Sequence, residues 1–188
     1  MSTQHKSRLD RELDTLLEHL GVQREMQDAP SQQDLHITCL SSNEDRLLWK
    51  EIQKHLALVK HPTGGAIHWH AHEVDATSRL ATWQTKRIQE RLGQTHLILL
   101  FVSIDLLAAL SGKAEEINRA IIETIRQEQP PKFIVVAARP TAWYDDYIVD
   151  LPRSPRKGTL TTMRPAERGY VEVARAVQQA INDLCHSF

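Results

Sequence analysis

The run HLILLFV at residues 96–102 constrains the chain more than any other stretch. It is far short of the roughly 20 apolar residues a membrane helix needs. It is also too continuously apolar for a strand with one wet face. A strand buried on both faces satisfies it. Ser103 and Asp105 follow at once and can cap a helix. The strand therefore delivers its carboxyl end to polar residues and a helix start, which is where open α/β sheets place their sites.

Other segments repeat the alternation. Residues 34–40 and 132–138 (KFIVVAA) read as strands, residues 66–69 as a short strand, and 158–162 as a short edge strand. Leu47, Leu48, Ile52, Leu56 and Val59 recur at helical spacing, and Ala81, Thr85, Ile88 and Leu92 mark a helix over 78–92. One long helix after residue 103 carries Glu115 and Glu116 and stops at Gln129-Pro130-Pro131. Residues 169–184 form the last apolar stripe, with Val173, Val177 and Ile181 on it. Residues 70–77 read as a polar loop. The pattern predicts an α/β fold, a flavodoxin-like doubly wound parallel sheet of about five strands with helices on both faces. Ahead of it, residues 6–20 carry a leucine stripe and residues 22–33 turn polar. The expected organisation is an N-terminal helix and linker over 1–33 and one domain over 34–188.

Composition excludes several functions. The net charge of −1 gives no global field toward nucleic acid or anionic lipid. The polar N-terminus has no signal-peptide core, and the two cysteines, Cys39 and Cys185, make no disulfide framework, so a cytoplasmic, reducing setting is expected. Neither GxxxxGK[ST] nor GxGxxG follows a strand, and no GxSxG elbow is present. His68, His70 and His72 alternate and would project to one side of a strand. No cysteine or carboxylate completes a familiar zinc spacing, so no metal is expected. Arg153, Arg156 and Lys157 cluster in a proline-containing loop without aromatic neighbours, which reads as a solvated loop rather than a nucleic-acid site.

In order and spacing, residues 34–184 resemble the bacterial Toll/interleukin-1 receptor (TIR) domains. The matching pieces are LHITCLSSNEDRLLWKEIQKHL, GGAIHWHAHEV, HLILLFVSIDLLAALSGKAEEINRAI, KFIVVAARPTAW, VDLPRSPRKGTL and GYVEVARAVQQAIN. The resemblance implies self-association through helix and loop faces, contacts with other TIR or effector-associated proteins, and a role in immune-type signalling. It also implies cleavage of NAD+ as a substrate, with no bound cofactor. Counting from Ser103, the family's essential glutamate falls on Glu116. Ser41, Ser42, Trp69, Ser103 and Lys113 are then the candidate substrate contacts. Ala71 stands where members often carry Asp, and Ser111, Gly112 and Lys113 replace the aromatics common before the glutamate. The alternative the resemblance leaves is a catalytically inactive scaffold that signals through homotypic contacts.

Overall fold

A computed structural model describes residues 33–142 and 146–187. The chain divides into two units, residues 1–32 and 33–188, and only the second is described. The expected helix at 6–20 with its linker, and Trp143 of the loop after the fourth strand, lie outside the described residues.

Five parallel strands form one sheet, in the order β2-β1-β3-β4-β5: β1 (Leu35–Ser42), β2 (Ile67–Val74), β3 (Leu97–Val102), β4 (Lys132–Ala137) and β5 (Arg153–Ser154). The doubly wound fold predicted from the alternation is the one observed. The helices are α1 (Arg46–Leu56), α2 (Thr82–Leu92), α3 (Ile104–Ser111), α4 (Glu115–Ile125), α5 (Asp146–Val149) and α6 (Ala166–Cys185), with a 3-10 turn at Asn43–Asp45. Among the described residues no helix is long and apolar enough to cross a membrane.

Strand alternation sorts the core into two layers. Ile37, Leu99, Phe101 and Val136 face α1 and α6, meeting Trp49, Ile52, Val173 and Val177. Leu40, Ile98, Leu100 and Val135 face the other way, against Ile88 of α2, Leu106 of α3 and Ile117 of α4. Every residue of β3 is buried, as a strand covered on both faces requires. Trp49 packs edge-to-face on Phe101, with centroids 5.2 Å apart.

Several boundaries differ from the sequence reading, each for a physical reason. β2 continues through residue 74, although 70–77 reads as a loop. It is an edge strand paired with β1 alone, so half-exposed histidines can fill one side of it. The single long helix expected after Ser103 is two. α3 ends where Gly112 takes φ −129° and ψ −98°, and α4 starts afresh at Glu115. The edge strand is β5, not residues 158–162. Gly158 turns with φ 71°, and the Thr162 hydroxyl accepts the Thr159 N–H at 3.0 Å, holding that stretch as a turn. In α1, Leu47 is 77% exposed and Trp49 takes its place in the core. The helix expected from residue 78 begins at Thr82, and the last helix begins three residues early, at Ala166.

Candidate functional site

The strand order reverses direction between β1 and β3, and such switch points open a crevice at the carboxyl ends of the strands. Here a buried carboxylate occupies that position. Asp45, fully buried, lies in the 3-10 turn that follows β1. Its Oδ2 accepts the Ser42 hydroxyl at 2.7 Å and the Ser103 hydroxyl at 2.5 Å. Its Oδ1 lies 2.8 Å from Arg139 Nε, an ion pair whose angle falls outside hydrogen-bond alignment. Arg139 Nη2 donates to the Glu44 carbonyl at 2.6 Å, and Nη1 sits 3.9 Å from Asp105. Ser103 Oγ also accepts the Leu106 N–H at 3.2 Å and so caps α3, as its position after β3 predicts. One carboxylate thus ties together the ends of β1, β3 and β4. With two hydroxyl donors and a guanidinium on it, the Asp45 carboxylate is suited to holding these loops together.

The residues singled out from the sequence are not gathered into one pocket. Ser42 and Ser103 meet at Asp45, with their hydroxyls committed to it. Ser41 is buried beside Ser42. Trp69 points to the opposite side of β2 from the histidines and packs against the α1–α6 core layer. Lys113 is exposed in the turn between α3 and α4. Glu115 and Glu116 occupy the first turn of α4, both exposed. Glu115 pairs with Arg119 at 3.6 Å. Glu116 makes no ion pair or side-chain hydrogen bond among the described residues. Asp45 and Arg139 were missed as partners, because residues so far apart in sequence carry no local signal of pairing.

A cleft of about 480 Å³ opens at the carboxyl end of β2, between that strand and α2. Asn43, His72, Glu73, Arg79, Trp83 and Arg87 line it, and Trp83 is 63% exposed. Glu73 is held by Arg46 at 3.6 Å. His72 Nε2 is buried without a hydrogen-bond partner among the described residues. α2 packs on α4, so this cleft and Glu116 share one side of the sheet. Glu116 does not line the cleft.

The alternating histidines do project to one side of β2, but His68 and His70 stack on His36 instead of converging, and His72 lines the cleft. His36 of β1 lies between His68, His70 and His96, with ring centroids 4.9, 5.4 and 5.9 Å away and rings nearly parallel. His36 Nδ1 is 3.1 Å from His70 Nε2, and His68 Nε2 meets Asp34 at 3.2 Å. Among the described residues no three His, Cys, Asp or Glu are grouped to hold a metal ion.

Burial pushes His72 down to about 4 from its ordinary 6.5, and Arg87 adds to the effect. Burial also lowers His70, with Arg91 next in importance, and His96. The unfolded chain therefore binds protons in this window that the fold refuses, so stability falls as pH drops from about 6.5 toward 4. After allowance for solvent screening, His72 contributes on the order of 1–2 kcal/mol to that fall. Urea midpoints at pH 7 and pH 4.5 should differ accordingly, and His72→Gln should flatten the difference. An unchanged slope in that variant would assign the effect to other groups. Hydrogen bonds hold two carboxyls below the usual carboxylate range, Asp34 through the Ala66 N–H and His68, and Asp75 through the Thr77 N–H and hydroxyl and Ser78.

No protein-family model matches the chain, and no curated protein matches it.

Proposed function

We propose that this chain is a TIR-type domain of the bacterial kind, acting in immune-type signalling, that self-associates and in the assembled state works as an NAD+ glycohydrolase or cyclase: the nicotinamide–ribose bond breaks, and the ribose carbon bonds instead to a water oxygen or to the adenine of the same molecule. Glu116 would stabilise the positive charge that develops on the ribose as neutral nicotinamide leaves. The observation that carries the reading is the contrast between two neighbours. Glu115 is engaged by Arg119, while the Glu116 carboxylate stands exposed and unengaged at the start of α4. Nothing on its own helix competes for it.

Exposure also explains why assembly is needed. A carboxylate 4 Å from a developing cation contributes about 1 kcal/mol in bulk water but about 4 kcal/mol at an effective dielectric near 20. The second figure matters for catalysis and the first barely does. A second copy covering α4 would exclude bulk solvent from the carboxylate. The cleft beside α2, which Glu116 does not line, would take only the far end of the dinucleotide, with the exposed Trp83 indole for the adenine and the Arg79 and Arg87 guanidinium groups for the pyrophosphate.

The test is nicotinamide release from NAD+ across a wide range of protein concentrations. Activity per molecule should rise steeply where scattering detects oligomers. Oligomers that release no nicotinamide would refute the enzymatic reading.

One observation favours the alternative, a catalytically silent scaffold. Ser42 and Ser103 are occupied by Asp45 and Trp69 by the core, which leaves Lys113 as the candidate contact open to solvent. That reading expects self-association with NAD+ untouched.

A further inference from the structure

On the far side of the sheet from the cleft, between β4, β5 and α6, lies a groove of about 1490 Å³ that the proposed activity does not use. Its floor is apolar, made by Ile134 of β4, Met163, and Ala176 and Ala180 of α6, while the Phe133 side chain packs in the opposite core layer. Its rim is cationic. Seven Lys and Arg side chains line it against two carboxylates, in a chain whose net charge is −1. Both carboxylates are already engaged, Asp183 by Lys132 at 2.9 Å and Glu172 by Arg168 at 3.5 Å. Arg156, Lys157 and Arg175 make no ion pair among the described residues, and Arg164 donates to the carbonyls of Thr161 and Met163. The β5 loop read as a solvated basic cluster in the sequence. Folding adds cations to it from residue 164 and from α6.

The sheet edge beside this groove is incomplete. β5 pairs with β4 only at Val135 and Val136. The Val135 N–H donates to the Pro152 carbonyl at 2.7 Å, so backbone alternation turns the N–H and C=O of Phe133 to the same side. Phe133 lies before the start of β5 and lines the groove.

We infer that the groove takes an extended acidic segment of a partner protein. The segment adds to the β4 edge beside Phe133 and sets its carboxylates against Arg156, Lys157, Arg164 and Arg175. Alternating acidic and apolar residues match a cationic rim over an apolar floor. Nucleic acid matches less well, because the groove offers no aromatic ring on which a base could stack: Phe133, the one aromatic residue along it, packs its ring in the opposite core layer. This inference is independent of the NAD+ reading, and either can fail without the other.

The experiment is fluorescence anisotropy of the full chain with a labelled heptapeptide of alternating Glu and Val. Saturable binding is expected that weakens as salt rises from about 50 to 300 mM. An Arg156→Glu, Arg175→Glu double variant should lose about tenfold in affinity with its thermal midpoint unchanged, since both side chains are exposed. Proline at the central valine of the peptide should also cost about tenfold, which a purely electrostatic contact would not show. The inference is overturned if binding does not saturate or if the double variant binds as well as the parent. It is equally overturned if a single-stranded oligonucleotide or inorganic polyphosphate of equal charge competes as strongly as the unlabelled peptide.

Discussion

Asp45→Ala is expected to destabilise the fold by roughly 3 kcal/mol or more, read from urea midpoints, because removing one partner of a buried ion pair strands the other. The fully buried carboxylate holds Ser42, Ser103 and Arg139 at once. Its loss leaves two buried hydroxyls without their acceptor and a guanidinium with only the Glu44 carbonyl and a distant Asp105. Arg139 is 38% exposed, so water relieves part of its penalty, which sets the expectation at the low end of the range for buried pairs. Asp45→Asn keeps the shape and one acceptor oxygen, and should cost about 1–2 kcal/mol. Removing Asp45 and Arg139 together should cost less than the two single losses added, as the residues act as one unit. A domain of this size has a margin of only about 5–15 kcal/mol, so Asp45→Ala should be plain in any denaturation curve. A loss under about 1 kcal/mol would mean that water replaces the carboxylate at the switch point. The crevice between β1 and β3 would then be open to a ligand after all.

The parts of the fold that were legible in the sequence are those whose environment is uniform. β3 and, after Lys132, β4 are covered on both faces, so their residues are apolar without interruption. β2 lies at the edge, where one side is half-wet, and its second half, from His70, reads as loop although it pairs with β1 to the end. The division of one helix into α3 and α4 depends on how Gly112 turns the chain, which periodicity alone does not reveal because the apolar stripe resumes at Ile117. The site was legible only where it is local. Ser103 as a helix cap follows from its place after a buried strand. The Asp45–Arg139 pair and the cationic groove each join segments far apart in the chain, so nothing in either segment alone announces them. The choice between Glu115 and Glu116 is intermediate. Helical geometry separates their directions by about 100°, but which of them is left free is decided by Arg119, one turn on from Glu115.

In an assembled, NAD+-cleaving sample, Glu116→Gln should lower turnover about a thousandfold, while Glu115→Gln should change it by less than about threefold. Glutamine keeps the size and the hydrogen-bonding oxygen and removes only the charge, so the loss measures the electrostatic contribution. At a dielectric near 20 and about 4 Å that contribution is about 4 kcal/mol, close to three factors of ten. KM should hardly move, because the charge that Glu116 meets exists only as the bond breaks. In dilute protein, where the carboxylate stays in water, the same substitution should cost only about fivefold, since the interaction falls to about 1 kcal/mol. The cost of one mutation would therefore grow with protein concentration, in step with oligomer formation. A general disturbance of α4 would give a constant ratio, because it would not depend on what covers the helix. If the two glutamine variants lose activity equally, the assignment to position 116 over 115 is wrong. If Glu116→Gln costs fivefold or less at every concentration, the carboxylate never leaves water, and catalysis of this kind by Glu116 is excluded.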